Sequence, residues 1–184
     1  GKYNSPYSAL STFAGDLTLI SKKIEIKKDK ETFEIWVKDN NFWIYDWALF
    51  IILKKKFNNS EWFNWPDKYK FRNEKALEIL KQKNHEYLDR LVLDQFTFDM
   101  KWQIIKKKAN SNGIKLFGDL PFYVAMDSAD VWANPNLFEL NEQLEPLKIA
   151  GVPPDYFSAK GQIWENPITN GKSIGKVNLN GGKK

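Results

Sequence analysis

Residues 113–167 read GIKLFGDLPFYVAMDSADVWANPNLFELNEQLEPLKIAGVPPDYFSAKGQIWENP. It begins with a short apolar run at 114–117, which predicts a β-strand. Asp119 and Pro121 follow where that strand should end. The aromatic, acidic, proline and glycine residues beyond them are poor core material. We therefore predict a shaped, partly exposed loop on one rigid strand, which is where functional residues concentrate.

Helical periodicity dominates the chain before this stretch. Apolar residues recur at helical spacing over 33–57, which predicts one largely buried helix after a lysine-rich connector at 21–34. Asn73 is predicted to cap a second helix that runs to about residue 93. A third helix is predicted over 95–110, with Gly113 as its stop. Its predicted inner stripe consists of Phe98, Trp102, Ile105 and Ala109.

The order of these segments is typical of parallel α/β proteins, in which a helix, a glycine and an apolar strand lead into an acidic loop. In such folds ligand sites lie beyond the carboxyl ends of the strands, where Asp119 would sit. Downstream, a short helix is predicted over 128–132, ended by Asn134. The segments 137–140 and 147–150 are predicted to pair, and 151–167 is predicted to be a fixed loop and not a flexible linker.

Composition narrows the possible chemistry. The net charge is +5 over 184 residues, and the lysines fall in short runs on predicted helices, which indicates a solvated face. The chain has no Cys, so disulfides and zinc thiolate sites are excluded. Its one histidine, His85, is predicted to face solvent, and a single histidine rules out multi-histidine metal sites. Acid–base chemistry would therefore fall mainly to Asp and Glu, and no metal or cofactor is predicted.

No signal peptide is visible in the sequence. The first residues lack the apolar region of a signal peptide. The longest apolar run, 42–53, contains Asp46 and is too short to span a bilayer. These observations predict a cytoplasmic protein, or a plastid protein if the N-terminus is incomplete.

Several long motifs closely resemble the amylomaltases, which are the 4-alpha-glucanotransferases, or disproportionating enzymes, of bacteria and plastids. GDLPFYVAMDSADVWANP at 118–135 resembles the family segment at the end of the third barrel strand. AGVPPDYFSAKGQIWENP at 150–167 resembles its acceptor-side lid loop. SPYSALSTFAG at 5–15, WIYDWALFIILKKKF at 43–57 and VLDQFTFDMKWQIIKKKA at 92–109 resemble, in turn, its loop after the second strand, its helical insertion and its helix before the third strand.

The resemblance implies an α/β fold, namely a partial (β/α)8 TIM barrel with a helical insertion, mostly helical in this chain. It implies four segments in chain order. Residues 1–20 would be a loop and strand following barrel strand 2, and residues 21–93 a connector and helical insertion. Residues 94–169 would hold a helix, barrel strand 3 and the substrate-binding lid loop, and residues 170–184 would be a disordered tail.

The resemblance also implies an activity and a set of substrate-binding residues. Members of the family transfer α-1,4-glucan segments between maltodextrins by a retaining mechanism with two carboxyl groups. Tyr7 matches the family tyrosine near the reacting sugar, and Asp119 matches an aspartate that hydrogen-bonds substrate. Asp155, Gln162 and Trp164 match lid-loop residues that contact glucan.

Structural interpretations of single residues stay open beside these roles. Asp119 could simply cap a turn, and Trp164 could belong to the core. Asp127 and Trp132 are interpreted as mainly structural residues that shape the loop.

The chain also departs from the family pattern. The family nucleophile lies in a motif Arg-x-Asp-His-Phe-Arg-Gly, whereas the single histidine, His85, is followed here by Glu86. Glu165 stands where the family usually has Gly. No catalytic residue is therefore predicted within the chain, and the nucleophile and the acid/base residue are expected beyond its end. The chain is expected to be an internal fragment that is inactive alone.

The predicted partners are α-1,4-glucans and maltooligosaccharides, with no nucleic acid and no membrane, and with no prediction of oligomeric state. One alternative is a non-catalytic glucan-binding module that uses the same aromatic residues. A second alternative is a lysine-rich nucleic-acid-binding protein. Such a protein would more often use arginine for phosphate, and Arg72 and Arg90 are the two arginines of the sequence.

Overall fold

The computed structural model describes residues 28–118, 123–154, 156 and 159–171. Helices in this part of the chain are α1 (Lys28–Asn40), α2 (Ile44–Lys56), α3 (Asp67–Lys70), α4 (Glu74–Lys83), α5 (His85–Ser111) and α6 (Ala129–Ala133). Short 3-10 turns lie at Trp62–Asn64 and Pro135–Leu137, and the strands are β1 (Ile149–Val152) and β2 (Gln162–Pro167). The described part is thus mostly helical, as predicted.

The chain divides into two compact units. The first unit combines Gly1–Leu49 with Lys81–Gly118, and the second combines Phe50–Leu80 with Asp119–Lys184. No helix within the described ranges is both long enough and apolar enough to cross a bilayer.

Aromatic side chains of α1 pack on α5 in the first unit. The ring centroids of Phe33 and Phe96 are 5.2 Å apart, and those of Trp36 and Phe96 are 5.7 Å apart, both edge-to-face. The Trp36 indole also donates a hydrogen bond of 2.9 Å to the Asp99 carboxylate. The buried face of α5 continues through Leu88 and Val92, which lie four residues apart on one side of the helix.

The helix predicted over 33–57 is instead two helices, and the predicted connector is helical from residue 28 onward. Asn40 explains the break. Its amide nitrogen donates to the Trp36 carbonyl at 2.8 Å, and its amide oxygen accepts from the Trp43 indole at 2.9 Å. An asparagine side chain bonded in this way competes with the helical backbone bonds, so the helix ends there.

The boundary predicted at 93–95, between the second and third helices, is also misplaced. Asn73 caps α4 as predicted, because its side-chain oxygen accepts from the Ala76 backbone N–H at 3.1 Å. The helix, however, breaks at Asn84, and α5 then runs without interruption through the boundary predicted at 93–95. Residues 93–95 contain neither Gly nor Pro, so nothing in them ends a helix.

Two predictions at the end of the first unit are wrong. Phe98, Trp102 and Ile105, predicted to point inward, are 55%, 43% and 56% exposed. Residues 114–117 form no strand in the described structure, and Phe117 is fully exposed. Both errors have one cause, since an inner stripe and a strand exist only where another element covers or pairs with them.

The core of the second unit is built around Trp132, which is 1% exposed. Its ring centroid lies 5.9 Å from that of Phe50 and 5.8 Å from that of Trp65. The Arg72 guanidinium lies 4.3 Å from the centroid of the indole ring. The indole N–H donates to the Tyr69 carbonyl at 2.9 Å, so this large side chain is buried with its polar atom satisfied.

A second set of contacts joins the loop before α6 to α2. The Lys54 ammonium lies 2.6 Å from the Asp127 carboxylate, which also accepts from the Trp62 backbone N–H at 3.2 Å. The Trp62 indole donates to the Met126 carbonyl at 2.6 Å. Asp127 and Trp132 are therefore structural residues, as predicted.

The observed limits of α6 are close to the predicted ones. Ser128 caps α6 by accepting from the Val131 backbone N–H at 3.3 Å, and α6 ends one residue before Asn134. The predicted pairing across the turn at 141–145 is confirmed in part. It includes a bridge between Leu140 and Pro146 and a hydrogen bond of 2.8 Å from the Leu147 N–H to the Glu139 carbonyl.

The predicted fixed loop at 151–167 contains β2 and the end of β1, which pair as a two-stranded antiparallel sheet. Gly161, which leads into β2, has a φ of +71°, and a Cβ added there would collide with the Val152 carbonyl oxygen. A glycine is therefore required for the two strands to approach here. The prolines and glycines of this segment indicated a loop. In the structure the glycines instead allow the two strands to approach each other closely.

The sheet contains a bulge in β2. Gly151 pairs with Ile163 and Ile149 pairs with Pro167, so Trp164, Glu165 and Asn166 lie opposite a single residue, Ala150. Glu165 has a φ of +56°, in the left-handed region that favours glycine. The bulge therefore places a strained glutamate directly beside Trp164.

We expect Trp132→Ala to lower the free energy of unfolding by about 3–5 kcal/mol, because it removes a large buried ring and leaves a cavity. Urea denaturation followed by circular dichroism measures this change. Trp102→Ala is the matched control, since Trp102 is 43% exposed and should lose about 1 kcal/mol or less. Equal losses in the two variants would contradict the central position of Trp132.

We expect Glu165→Gly to raise the free energy of unfolding by about 0.5–1 kcal/mol, because glycine adopts the left-handed conformation without strain. Thermal denaturation of both proteins measures the difference. Glu165→Ala is the control, since it removes the carboxylate and keeps the Cβ that causes the strain. A gain of similar size in Glu165→Ala would show that charge, and not backbone strain, is responsible.

Candidate functional site

Two of the five predicted substrate-binding residues lie in the described structure. Gln162 and Trp164 are both in β2. Tyr7, Asp119 and Asp155 lie outside the described residues.

Gln162 and Trp164 are in direct contact. The Trp164 indole N–H donates to the Gln162 side-chain oxygen at 3.0 Å. Tyr123 packs edge-to-face with the Trp164 ring, with ring centroids 5.8 Å apart at an interplanar angle of 74°. The three side chains form a small polar and aromatic cluster in the second unit, here called the Trp164 cluster.

The strand pair holds this cluster in place. Gly151 lies so close to β2 that a Cβ added there would be 2.8 Å from the Gln162 carbonyl oxygen. The bulge after Ile163 then separates Trp164 from regular pairing. Bulges of this kind are common beside binding sites, where they redirect one side chain.

Exposure decides between the two interpretations of Trp164. The side chain is 43% exposed and Tyr123 is 39% exposed, so neither belongs to the core. An exposed indole face can stack on an apolar ring face, and the adjacent Gln162 amide group offers two N–H donors to hydroxyl oxygens. This combination suits a ligand with alternating apolar and hydroxyl surfaces, which is the surface pattern of a pyranose ring.

Tyr123 was missed by the residue-by-residue comparison. It lies in the same motif as Asp119, in the run Leu-Pro-Phe-Tyr-Val, and its aromatic ring was the available signal. Tyr156, in the lid-loop motif, is 97% exposed and is a further aromatic side chain in this region of the sequence.

His85 and Asp94 are titratable side chains of α5, outside the Trp164 cluster. His85 is exposed at the start of α5, with its ring nitrogen 3.1 Å from the Gln82 carbonyl oxygen, as predicted for a solvent-facing residue. Among the described residues no group of three or more His, Asp or Glu side chains is arranged to hold a metal ion. Burial raises the pKa of Asp94 on α5 above its usual value, while the Arg90 charge partly opposes this rise.

A cavity of about 560 Å³ lies in the first unit, lined by residues of α1, α2 and α5. Its walls include the rings of Phe33 and Tyr45, with Glu34, Asp89 and Arg90 supplying charges of both signs. None of the predicted substrate-binding residues lines it. The Trp164 cluster, and not this cavity, is the candidate site.

Comparisons with known proteins agree on one family. A family model for glycoside hydrolase family 77, described as 4-alpha-glucanotransferase, matches residues 21–179. A 4-alpha-glucanotransferase of Clostridium butyricum is 42% identical over 153 residues, which is 83% of this chain and 31% of the relative. The chloroplastic/amyloplastic 4-alpha-glucanotransferase of Solanum tuberosum is 38% identical over 160 residues, which is 86% of this chain and 27% of the relative.

The solved amylomaltase from Streptococcus agalactiae in complex with acarbose has a similar fold, with a TM-score of 0.77 and 34% identity. The match covers 92% of this chain and 34% of that structure. The chain therefore spans about a third of the length of the curated relatives and of the solved structure that it matches. With most of its residues inside the family match, this chain belongs to the 4-alpha-glucanotransferase family, glycoside hydrolase family 77.

Proposed function

We propose that this chain supplies the glucan-holding part of a 4-alpha-glucanotransferase, an enzyme that transfers α-1,4-glucan segments between maltodextrins by a retaining mechanism. The observation that carries the proposal is the Trp164 cluster, in which an exposed indole is fixed by Gln162 and Tyr123. Family membership supplies the reaction class, and the solved amylomaltase in complex with acarbose supports a carbohydrate ligand.

The Trp164 cluster is suited to holding a glucan in one orientation. The indole would stack on one face of a glucose unit, while the hydrogen bond from its N–H to Gln162 fixes the ring plane. Fixing the ring before the ligand binds lowers the entropy lost on binding. Tyr7, Asp119 and Asp155 are proposed to complete the substrate contacts, with Asp119 at the carboxyl end of a barrel strand.

A retaining transfer needs two carboxyl groups with separate roles. One carboxylate attacks the anomeric carbon and forms a glycosyl-enzyme, while a carboxylic acid protonates the departing glycosidic oxygen. We propose that neither group lies within these 184 residues, because the family motif with its histidine has no match around His85. The chain would then bind glucan without turning it over.

The proposed architecture is a partial (β/α)8 barrel with a helical insertion, in which residues 94–169 hold the helix, third strand and lid loop. The TM-score of 0.77 to the solved amylomaltase supports this assignment. The cytoplasm is the proposed location, with a plastid as the other candidate, since the potato relative is named chloroplastic/amyloplastic.

We expect Trp164→Ala to weaken the binding of maltoheptaose by about 3- to 10-fold, because stacking on an aromatic ring contributes about 0.5–1.5 kcal/mol. Isothermal titration calorimetry measures the dissociation constants. Trp102→Ala is a matched control, because Trp102 has the same exposed fraction, 43%, and lies in the first unit. Unchanged affinity in Trp164→Ala would remove Trp164 from the proposed site, and salt-sensitive DNA binding without glucan affinity would contradict the sugar assignment altogether.

We expect the chain alone to release no glucose from maltotriose above a blank, because a transfer cannot start without a nucleophile and an acid. Thin-layer chromatography and a coupled glucose assay detect glucose and longer maltodextrins. The Clostridium butyricum relative, assayed in parallel, is the positive control. Product formation by the chain alone would show that catalytic carboxylates are present within it.

A further inference from the structure

We propose that Glu165 contacts the substrate and determines which sugars the Trp164 cluster accepts. Its carboxylate would accept hydrogen bonds from the C2 and C3 hydroxyl groups of the glucose unit that stacks on Trp164. This role rests on the proposed glucan-binding function, to which it adds one residue and one requirement for the ligand. The family pattern does not supply it, because glycine is usual at this position.

The backbone of Glu165 is strained, and no contact of its side chain with the described residues explains the strain. Its φ of +56° lies in the left-handed region that favours glycine. The other described residues that combine a side chain with a positive φ are Asn58, Asn59, Arg72 and Leu144. Asparagine adopts this conformation readily, Arg72 stacks on the Trp132 ring, and a backbone hydrogen bond of 2.9 Å fixes Leu144 in the turn at 141–145.

The carboxylate of Glu165 is exposed and has no hydrogen bond or ion pair with the residues that the structure describes. A strained residue persists because its surroundings hold it or because its function requires it. Within the described ranges Glu165 is not held through its side chain, so the strain indicates a function. A negatively charged acceptor group next to an exposed indole indicates a ligand with hydrogen-bond donors.

The bulge in β2 removes the rule that would separate Glu165 from Trp164. In a regular strand, neighbouring side chains point to opposite faces of the sheet. Here Trp164, Glu165 and Asn166 all lie opposite Ala150, and the left-handed residue interrupts the alternation. The glutamate side chain, which no described residue restrains, can therefore reach a sugar stacked on the neighbouring indole.

The hydrogen-bonding groups of Gln162 and Glu165 complement each other. The Gln162 oxygen is occupied by the Trp164 indole N–H, so its amide offers N–H donors to hydroxyl oxygens. A sugar hydroxyl also needs an acceptor for its hydrogen, and an ionised carboxylate has two oxygens that accept. The C2 and C3 hydroxyls are the neighbouring free pair on an internal α-1,4-linked glucose unit, so they match these two oxygens.

A carboxylate at this position would also discriminate between ligands. A site that binds a hydroxyl group rejects an analogue without it, because a polar group of the site is left without its partner. An indole alone, in contrast, stacks on any apolar ring face. Because Glu165 is exposed, water replaces the lost partner in part, so we expect discrimination of about 3- to 10-fold.

Glu165→Gln tests the carboxylate, because it keeps the size of the side chain and removes its charge. Isothermal titration calorimetry with maltoheptaose should give a dissociation constant about 3- to 10-fold higher than that of the unchanged chain. Glu142→Gln is the matched control, since Glu142 is an exposed glutamate of the same unit. It should change the dissociation constant by less than about 2-fold.

Glu165→Gly separates a substrate contact from a purely structural role. Glycine relieves the backbone strain and removes the carboxylate, so the thermal stability should rise while the affinity for maltoheptaose falls about 3- to 10-fold. Opposite changes in stability and affinity are the result expected of a residue retained for binding. Unchanged or higher affinity in Glu165→Gly would overturn the proposal.

Deoxy sugars test the ligand side of the contact. Methyl α-maltoside and its analogues that lack the C2 or the C3 hydroxyl of both glucose units are titrated by NMR against the unchanged chain and Glu165→Gln. Each deoxygenation should weaken binding to the unchanged chain about 3- to 10-fold and binding to Glu165→Gln by less than about 2-fold, because the variant lacks the charged acceptor. Equal relative losses in the two proteins would overturn the proposal.

The outcomes separate this role of Glu165 from glucan binding itself. If Trp164→Ala weakens the binding of maltoheptaose and Glu165→Gln does not, the role of Glu165 is wrong and the glucan-binding function stands. If the chain does not bind maltoheptaose, or if Trp164→Ala has no effect, the glucan-binding proposal fails and the role of Glu165 fails with it.

Discussion

Two tryptophan indoles hold the second unit together across long intervals of sequence. Trp132 donates to the carbonyl of Tyr69, 63 positions away, and Trp62 donates to the carbonyl of Met126, 64 positions away. Each bond satisfies the one polar atom of a ring that is otherwise fully buried, so burial and orientation are fixed together. The segment from Met126 to Trp132 is therefore anchored on the segment from Trp62 to Tyr69.

Local rules predicted the parts of this fold that depend on neighbours in sequence. Asn73 was identified as a cap from residue type and position, and it accepts the expected backbone hydrogen bond. Ser128 was predicted as the first residue of a short helix and is instead the residue that caps it. The breaks at Asn40 and Asn84 were missed because asparagine is tolerated inside helices. At Asn40 the break depends on a contact with Trp43, which residue spacing alone does not show. Phe98, Trp102 and Ile105 were placed inside because their spacing is that of a buried face, but spacing does not show what covers it.

Two residues of the candidate site could be predicted, because they lie in a motif that resembles the family's lid loop. Gln162 and Trp164 were named from the lid-loop motif, and the structure brings their side chains into contact. Tyr123 was missed because its role comes from an edge-to-face contact with a residue 41 positions later in the numbering, which no local pattern encodes. The strands that present Trp164 were also missed, since their glycines and prolines are typical of loops and the pairing is revealed only by the close approach at Gly151 and Gly161.

The ammonium group of Lys54 is held by three oxygen atoms in an arrangement that suits lysine and not arginine. Its ammonium group lies 2.6 Å from the Asp127 carboxylate, 2.9 Å from the Asn59 carbonyl and 3.0 Å from the Ser60 carbonyl. An ammonium group has three N–H donors, so these three oxygens use all of them. The planar guanidinium of an arginine presents its donors as a rigid fork and cannot reproduce this three-sided arrangement. Lys54 thus acts as an internal cation that organises a loop, and in this protein the exchange of one basic residue for another is not conservative at that position.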